Sequence, residues 1–335
     1  MARPISALDV RTQTGAAVRL EYATAAGYAC GFDRVALDGL LLDRARAAAV
    51  VETASVVTSI SLPARPAGYV RLTVAPTDDV DGSSVQQWRA RVVVGADGPR
   101  SLVARSAGVT ATPRLLRKAG MTFHESDPEA ETEGRPMVGE FLLGNGWYVG
   151  VAPVPGGRLN VGIVVPSEHL GSPLDQVVAR TRGLMSDHSG MPVSARTIDE
   201  RMVALPLRHR VRRASGRGFL LAGDAAGFID PFTGEGLHRA LVSAELAADS
   251  ITRWLRGDSH ALDDYDRHLR ARFRTKDVVS WVLQAFLARP ALLDYAVRRL
   301  AARRRQREVL TLVLTDQVPA TRGLDPRFLG RLLAP

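Results

Sequence analysis

Two aspartates of this chain each follow a short apolar run, and the residues around Asp224 point to binding of a hydroxylated ligand. Asp224 comes after residues 219–222 and a glycine, and Asp97 comes after the valines 92–94, a glycine and an alanine. Short continuous apolar runs are typical of buried strands, and glycine beside aspartate is typical of a turn. A carboxylate repels a phosphate but accepts hydrogen bonds from sugar hydroxyls. The pattern therefore predicts that Asp224 binds a hydroxyl group beyond the end of a strand.

A helix with a glycine-rich start follows Asp224 along the chain. Gly234, Glu235 and Gly236 directly precede a helical apolar periodicity. Unpaired N–H groups and the helix dipole favour an anion or an electron-rich ring edge at such a start. Glu235 is a candidate proton donor there, although a carboxylate in a first turn also complements the dipole by itself. The predicted apolar face of the helix contains Leu237, Ala240, Leu241, Ala244, Ala247, Ala248, Ile251 and Leu255.

These residues together resemble a flavoprotein motif. The stretch GDAAGFIDPFTGEGLHRAL, residues 223–241, resembles the second FAD motif of flavoproteins related to geranylgeranyl reductases, flavin halogenases and aromatic hydroxylases. The resemblance implies FAD as cofactor, with Gly223 and Asp224 holding the ribityl chain. It also implies that the helix start faces the pyrimidine side of the isoalloxazine through Pro231, Gly234, Glu235 and Gly236. The alternative is an ordinary strand–loop–helix unit.

Two further motifs resemble the same superfamily. Asp97 and Gly98 match its middle motif, and in relatives this aspartate lies near the flavin pyrophosphate and the path of the nicotinamide nucleotide. The alternative is a plain turn between a strand and a helix that begins at Ser101. Arg34 matches an arginine that contacts the FAD backbone in relatives, before a helix over residues 33–49 with Asp33 as its N-cap. A solvated surface cation is the alternative for Arg34.

The sequence also contains candidate catalytic residues, each with an ordinary structural alternative. Residues 147–153 lie where halogenases carry Trp-x-Trp-x-Ile-Pro, but Gly150 and Ala152 replace the second Trp and the Ile, which argues against halogenation. Tyr148 is a candidate to face the flavin, with ordinary sheet packing as an equal alternative. His238 follows the helix start and is a candidate, with simple packing as its alternative. The sequence predicts no metal site.

The order of elements predicts a mixed α/β fold of the α+β type. A Rossmann-like FAD-binding layer, truncated at its N-terminus, carries an inserted antiparallel substrate sheet and a helical C-terminal tail. The predicted sheet contains residues 137–143, 147–152 and 158–165, separated by glycine turns, and residues 7–22 form a hairpin. Helices are predicted over residues 261–287 and 291–314. The expected domains are 1–108 (partial FAD-binding), 109–210 (substrate sheet), 211–256 (FAD-binding, second part) and 257–335 (helical).

The composition indicates which binding partners and which cellular compartment to expect. The chain has 335 residues, 46% of them hydrophobic and 24% charged, as expected of a folded protein. Its net charge is +9, but aromatic and basic residues do not interleave, so no nucleic acid is expected. The single cysteine, Cys30, and the lack of an 18-residue apolar run predict a cytoplasmic protein. Arginines crowd residues 298–307 and indicate either a peripheral contact with an anionic membrane or a solvated basic face. The oligomeric state is open.

One motif of the superfamily does not occur in these residues. Relatives begin with a βαβ unit whose Gly-x-Gly-x-x-Gly binds the FAD pyrophosphate, and this sequence contains no such spacing. We therefore expect a late start, a fragment or a decayed gene, and weak or no FAD binding by the chain alone. The resemblance implies an FAD-dependent oxidoreductase in which NAD(P)H reduces the flavin. Such an enzyme then reduces an alkene or hydroxylates a small or lipid substrate. Ala226-Gly227 and residues 233–236 favour the reductase branch, and a non-catalytic remnant is the rival interpretation.

Overall fold

The computed structural model describes residues 2–22, 29–65, 68–78, 84–112, 118–126, 137–168, 176, 183 and 202–334. Its strands in chain order are β1 (Ala2–Ile5), β2 (Ala7–Thr12), β3 (Ala17–Glu21), β4 (Ala29–Phe32), β5 (Ser55–Ser61), β6 (Val70–Pro76), β7 (Gln86–Ala90), β8 (Val93–Gly95), β9 (Lys118–Ser126), β10 (Val138–Leu143), β11 (Tyr148–Val154), β12 (Arg158–Pro166), β13 (Met202–Ala204), β14 (Ser215–Gly216) and β15 (Phe219–Leu221). Its helices are α1 (Arg34–Arg46), α2 (Leu102–Ser106), α3 (Gly236–Leu255), α4 (Ala261–Leu287), α5 (Pro290–Ala302), α6 (Arg304–Leu314) and α7 (Pro326–Leu333).

The chain divides into two compact units. The first unit comprises Met1–Arg44, Arg117–Pro206 and Val278–Pro335, and the second comprises Ala45–Leu116 and Leu207–Asp277. The mixed α/β fold class is confirmed, because sheets and helices occur in both units.

The first unit contains a seven-stranded sheet with the order β13-β9-β12-β11-β10-β2-β3. The predicted antiparallel run of three strands is confirmed, since β10 pairs with β11 and β11 with β12, both antiparallel. One face of the sheet buries alternate apolar side chains, as a period of two requires. These are Ala119, Met121, Phe123, Leu142, Val149, Val151, Val161, Ile163 and Val165.

The N-terminal hairpin belongs to this same sheet. β2 and β3 pair antiparallel, as predicted, and β2 also pairs in parallel with β10, with Ala7 opposite Val138. The observed units therefore differ from the predicted boundaries, which placed residues 1–108 in a partial FAD-binding domain. A local pattern predicts a hairpin, but it does not specify which distant strand its free edge joins.

The second unit is built around a short parallel pair of strands. β15 pairs in parallel with β8, with Phe219 opposite Val93, and β14 extends the sheet on the other side of β15. A second sheet consists of β5, β6 and β7. Side chains of β15 are almost fully buried, as the continuous apolar run predicts. They share one core with Val103, Ala104, Val109, Ala214, Ala225, Ala247, Leu262, Tyr265, Leu269 and Phe273.

The predicted helices differ from the observed ones in two respects, and α7 was not predicted. The predicted helix over residues 291–314 is two helices, because Arg303 has φ −120° and ψ 88° and interrupts the chain between α5 and α6. The predicted apolar face of α3 is also partly wrong, since Leu237 is 38% exposed and Leu241 is 55% exposed. Ser243 and Ser250 are buried instead. Among the described residues, no helix combines the length and apolarity needed to cross a bilayer.

Candidate functional site

Two buried hydroxyl groups hold the turn that carries Asp224. Gly223 begins this turn with φ 57°, a left-handed conformation that glycine adopts without strain. Its amide donates to the hydroxyl of Ser243 on α3 at 2.8 Å. The hydroxyl of Tyr265 on α4 donates to the carbonyl of Leu221 at 2.6 Å, directly before the turn. The Asp224 backbone is therefore held at the carboxyl end of β15 by buried groups of both helices.

The Asp97 turn lies at the end of the neighbouring strand. Gly98 has φ 76°, and the carboxylate of Asp97 accepts from the amide of Leu102 at 2.6 Å. Ser101 caps α2 by accepting from the amide of Ala104 at 3.1 Å, as predicted. Because β8 and β15 are parallel, both turns lie at the same edge of the sheet, where ligands of α/β folds bind. Asp97 thus lies at this edge, and its carboxylate stabilises its own turn.

His209 supports the Asp224 turn, although no sequence motif indicates a role for this histidine. Its backbone pairs with Phe228 through hydrogen bonds of 3.0 and 2.9 Å. Its ring nitrogen Nε2 lies 3.2 Å from the carbonyl oxygen of Ala225. Burial lowers the pKa of His209, while the Ala225 carbonyl and the charges of Asp224 and Asp97 act to raise it. The histidine carries no spacing signal to Asp224, so only the fold reveals this contact.

Stability is expected to fall in mild acid because of His209. The pKa of the ring in the folded chain lies below 6.5, its ordinary value, so protonation favours the unfolded chain. The stabilisation is complete above pH 6.5 and is lost as the pH falls from 6.5 towards the lower pKa of the folded state. Urea unfolding at several pH values measures this dependence. His209→Gln is expected to weaken the pH dependence of stability, and the exposed control His260→Gln is expected to leave that dependence unchanged. The same pH dependence in wild type and His209→Gln would refute the assignment.

The side chain of Glu235, the N-cap residue of α3, makes no capping hydrogen bond. Before it, Asp230 accepts from the amide of Phe232 at 3.0 Å and so fixes the turn that begins at Pro231. Gly234 follows in the left-handed region with φ 68° and ψ 19°. A Cβ atom on Gly234 or Gly236 would have no atom of the described residues within 4 Å. The start of α3 therefore includes two residues without side chains, and the described residues leave open space at both Cβ positions.

Glu235 does not cap α3 but joins a group of charges. Lys276 on α4 lies 2.8 Å from one of its oxygens, and Arg239 lies 3.4 Å from the other. Arg239 also donates to Asp277. Burial raises the pKa of Asp277 above its ordinary value; Arg239 opposes this shift, and the charge of Glu235 adds to it. The carboxylate of Glu235 therefore contacts two cations, Lys276 and Arg239, and a role in proton donation stays a prediction.

The other predicted residues lie in ordinary structural contacts. The ring of His238 packs edge-on against Phe273 in the second unit. Tyr148 is 3% exposed within the sheet of the first unit, with Lys118 over its ring at 5.5 Å. Arg34, in the first unit, pairs with Asp38 one helical turn later, and both are exposed. These positions agree with the structural alternatives stated for each residue, and a role in flavin binding for Arg34 stays a prediction.

Several arginines of residues 298–307 donate hydrogen bonds to backbone carbonyls of the first unit. The guanidinium groups of Arg299 and Arg303 donate to the carbonyl of Ala334, and Arg307 donates to the carbonyl of Ala301 at 3.1 Å. Arg298 and Arg305 are exposed. Three of the arginines therefore stabilise helix ends, and membrane contact through this stretch stays a prediction.

The donor set of the second unit fits an FAD molecule. Asp224 offers a carboxylate for the ribityl hydroxyls, and the uncapped start of α3 offers amides for the electron-rich ring edge. In the described part of the chain, no group of three or more His, Cys, Asp and Glu side chains is arranged to hold a metal ion.

Comparison with known families agrees with this donor set. The family model described as an FAD binding domain matches residues 6–281. The chain belongs to this FAD-binding family. Digeranylgeranylglycerophospholipid reductase 2 of Methanopyrus kandleri is 32% identical over 177 residues, which are 50% of this chain and 44% of the relative. Digeranylgeranylglycerophospholipid reductase of Methanosarcina mazei is 32% identical over 168 residues, 48% of this chain and 39% of the relative. The chain thus spans less than half the length of these two relatives.

Solved structures show the fold of this FAD-binding family. A geranylgeranyl bacteriochlorophyll reductase-like protein from Thermoplasma acidophilum has a TM-score of 0.73 at 21% identity, covering 99% of this chain and 80% of its own. A flavin-dependent halogenase, CmlS, has a TM-score of 0.68 at 24% identity, covering 82% and 51%. Aklavinone-11 hydroxylase, in complex with FAD and aklavinone, has a TM-score of 0.61 at 20% identity, covering 77% and 51%. The superfamily resemblance read from the sequence is confirmed.

Proposed function

We propose that this chain acts as an FAD-dependent oxidoreductase whose second unit holds the ribityl chain and ring of the flavin. The supporting observation is that the Asp224 and Asp97 turns lie at one sheet edge and the uncapped start of α3 follows the Asp224 turn. When bound, FAD carries electrons between a reductant, which we propose is NAD(P)H, and an organic substrate.

The residues of this chain bind and orient the flavin. Asp224 accepts from ribityl hydroxyls, and the first amides of α3 donate to the ring edge. Ser243 and Tyr265 fix the turn that aims Asp224. We assign substrate binding to the sheet of the first unit.

The favoured reaction is reduction of a carbon–carbon double bond in an isoprenoid lipid. The two relatives at 32% identity are named as reductases of digeranylgeranylglycerophospholipids, which supports this choice. Hydroxylation of an aromatic substrate is the second candidate, because a hydroxylase shares the fold. The two reactions differ in their products, since reduction adds one H2 per double bond and hydroxylation adds one oxygen atom.

Product analysis separates the two reactions. The purified chain is incubated with FAD, NADPH and a digeranylgeranylglycerophospholipid in detergent, and the lipid is examined by mass spectrometry beside an oxygen electrode. The proposal predicts lipid that has gained hydrogen, without oxygen consumption that depends on the lipid. Lipid-dependent oxygen uptake with gain of an oxygen atom would favour the monooxygenase. Unchanged lipid with FAD bound would contradict the reductase.

A further inference from the structure

Four charged side chains form a compact group beside the start of α3. Lys276 and Glu235 are 2.8 Å apart, and their side chains are only 5% and 9% exposed. Arg239 contacts the other oxygen of Glu235 and also donates to Asp277, and its side chain is 18% exposed. When both carboxyls are ionised, the two negative and two positive charges cancel.

Stability alone gives little reason for such a pair. Removing two charges from water costs several kcal/mol per ion, and apolar residues of similar volume are often as stable or more so. Leaving one member without the other is strongly destabilising, so each charge of the pair depends on its partner. We therefore consider what the pair does for the helix start beside it.

Glu235 stands directly before the first residue of α3, and its side chain makes no capping hydrogen bond to that helix. A helix N-terminus carries the equivalent of about half a positive charge. An uncompensated carboxylate at this place would oppose the positive potential and repel electron density brought to the helix start. Lys276 and Arg239 neutralise the carboxylate, so the amides retain their attraction for an electron-rich group.

We propose that Lys276 is a positioning residue that neutralises Glu235 and thereby sets the reduction potential of a flavin held at the start of α3. The inference rests on the proposed function, because it requires a flavin at this helix. Reduction places additional negative charge on the flavin ring. Loss of the Lys276 charge therefore disfavours the reduced form more than the oxidised form, and lowers the potential.

The test is the midpoint potential of FAD bound to the full chain, measured by slow enzymatic reduction in equilibrium with a reference dye. Lys276→Met is expected to lower the potential by about 30 mV or more, which is a tenfold loss of affinity for reduced relative to oxidised flavin. Lys276→Arg keeps the charge and is expected to keep the potential. The double variant Lys276→Met/Glu235→Gln removes both charges and is expected to restore it.

The outcomes separate this inference from the proposed function. An unchanged potential in Lys276→Met with FAD bound overturns the inference alone. A lowered potential that the double variant does not restore also overturns it, because that result indicates a packing role. Absence of FAD binding to the wild-type chain overturns the proposed function and this inference with it. If Lys276→Met does not fold, Glu235→Gln decides, since loss of the negative charge alone is expected to raise the potential and no change overturns the inference.

Discussion

Replacement of Asp224 with alanine is expected to weaken FAD binding by about tenfold to a hundredfold. A hydrogen bond to a charged group contributes about 1.5–3 kcal/mol, and every 1.4 kcal/mol corresponds to about tenfold in affinity. Asp224 lies in the turn that Ser243 and Tyr265 stabilise through hydrogen bonds to the backbone of Gly223 and Leu221. Quenching of flavin fluorescence during titration with protein gives the dissociation constant.

The Asp224 result has matched controls. Asp224→Asn keeps a hydrogen-bond acceptor without the charge and is expected to lose less affinity than Asp224→Ala. Asp249→Ala on the exposed side of α3 removes a carboxylate that is 67% exposed, and its affinity is expected to equal that of wild type. Equal affinity in wild type and Asp224→Ala would show that the flavin, if bound, is held elsewhere.

Tyr265 is expected to give the largest loss of stability. Its side chain is fully buried, and burial raises the pKa of its phenol, so the hydroxyl stays a donor to Leu221. Tyr265→Ala is expected to lower the free energy of unfolding by about 3–5 kcal/mol, the range for deletion of large buried side chains. Tyr265→Phe removes only the hydroxyl and is expected to cost about 1–3 kcal/mol, because it leaves a buried carbonyl without this partner. Urea unfolding measures both values.

A surface tyrosine provides the comparison for this effect. Tyr295 is 37% exposed, and its hydroxyl also donates to a backbone carbonyl, that of Leu333, at 2.9 Å. Tyr295→Phe is expected to change stability by less than about 0.5 kcal/mol, as surface substitutions usually do. If Tyr265→Phe and Tyr295→Phe lose equal stability, burial of the Tyr265 hydrogen bond does not increase its contribution to stability.

Elements made by neighbouring residues could be predicted from the sequence. The apolar run of β15, the glycine and aspartate after it, and the N-cap roles of Asp33 and Ser101 are local features, and the structure has them. Periodicity of two also predicted the antiparallel run of β10, β11 and β12. In each case the residues that specify the element are the residues that form it.

Features that depend on distant partners were not predictable. The parallel pairing of β2 with β10 and the ion pair of Glu235 with Lys276 join segments far apart in sequence. The exposed Leu241 of α3 contradicts the apolar periodicity, because the helix turns Ser243 towards the Gly223 amide. His209 likewise has meaning only beside Ala225. The candidate site was therefore predicted in its turns and helix start, but its supporting contacts emerged only from the fold.

The most direct test of this account is a binding series with FAD, FMN and riboflavin, each titrated with the wild-type chain and followed by flavin fluorescence and visible absorbance. In the proposed function, Asp224 and the start of α3 bind the ribityl chain and the ring, which all three ligands share. The account therefore predicts that all three bind weakly, because this sequence contains no Gly-x-Gly-x-x-Gly for the pyrophosphate, and that their dissociation constants lie within about tenfold of one another. Absence of any flavin band shift or quenching with all three ligands would contradict it. Binding of FAD without binding of FMN or riboflavin would also contradict it, because the ADP half of the cofactor would then supply most of the affinity.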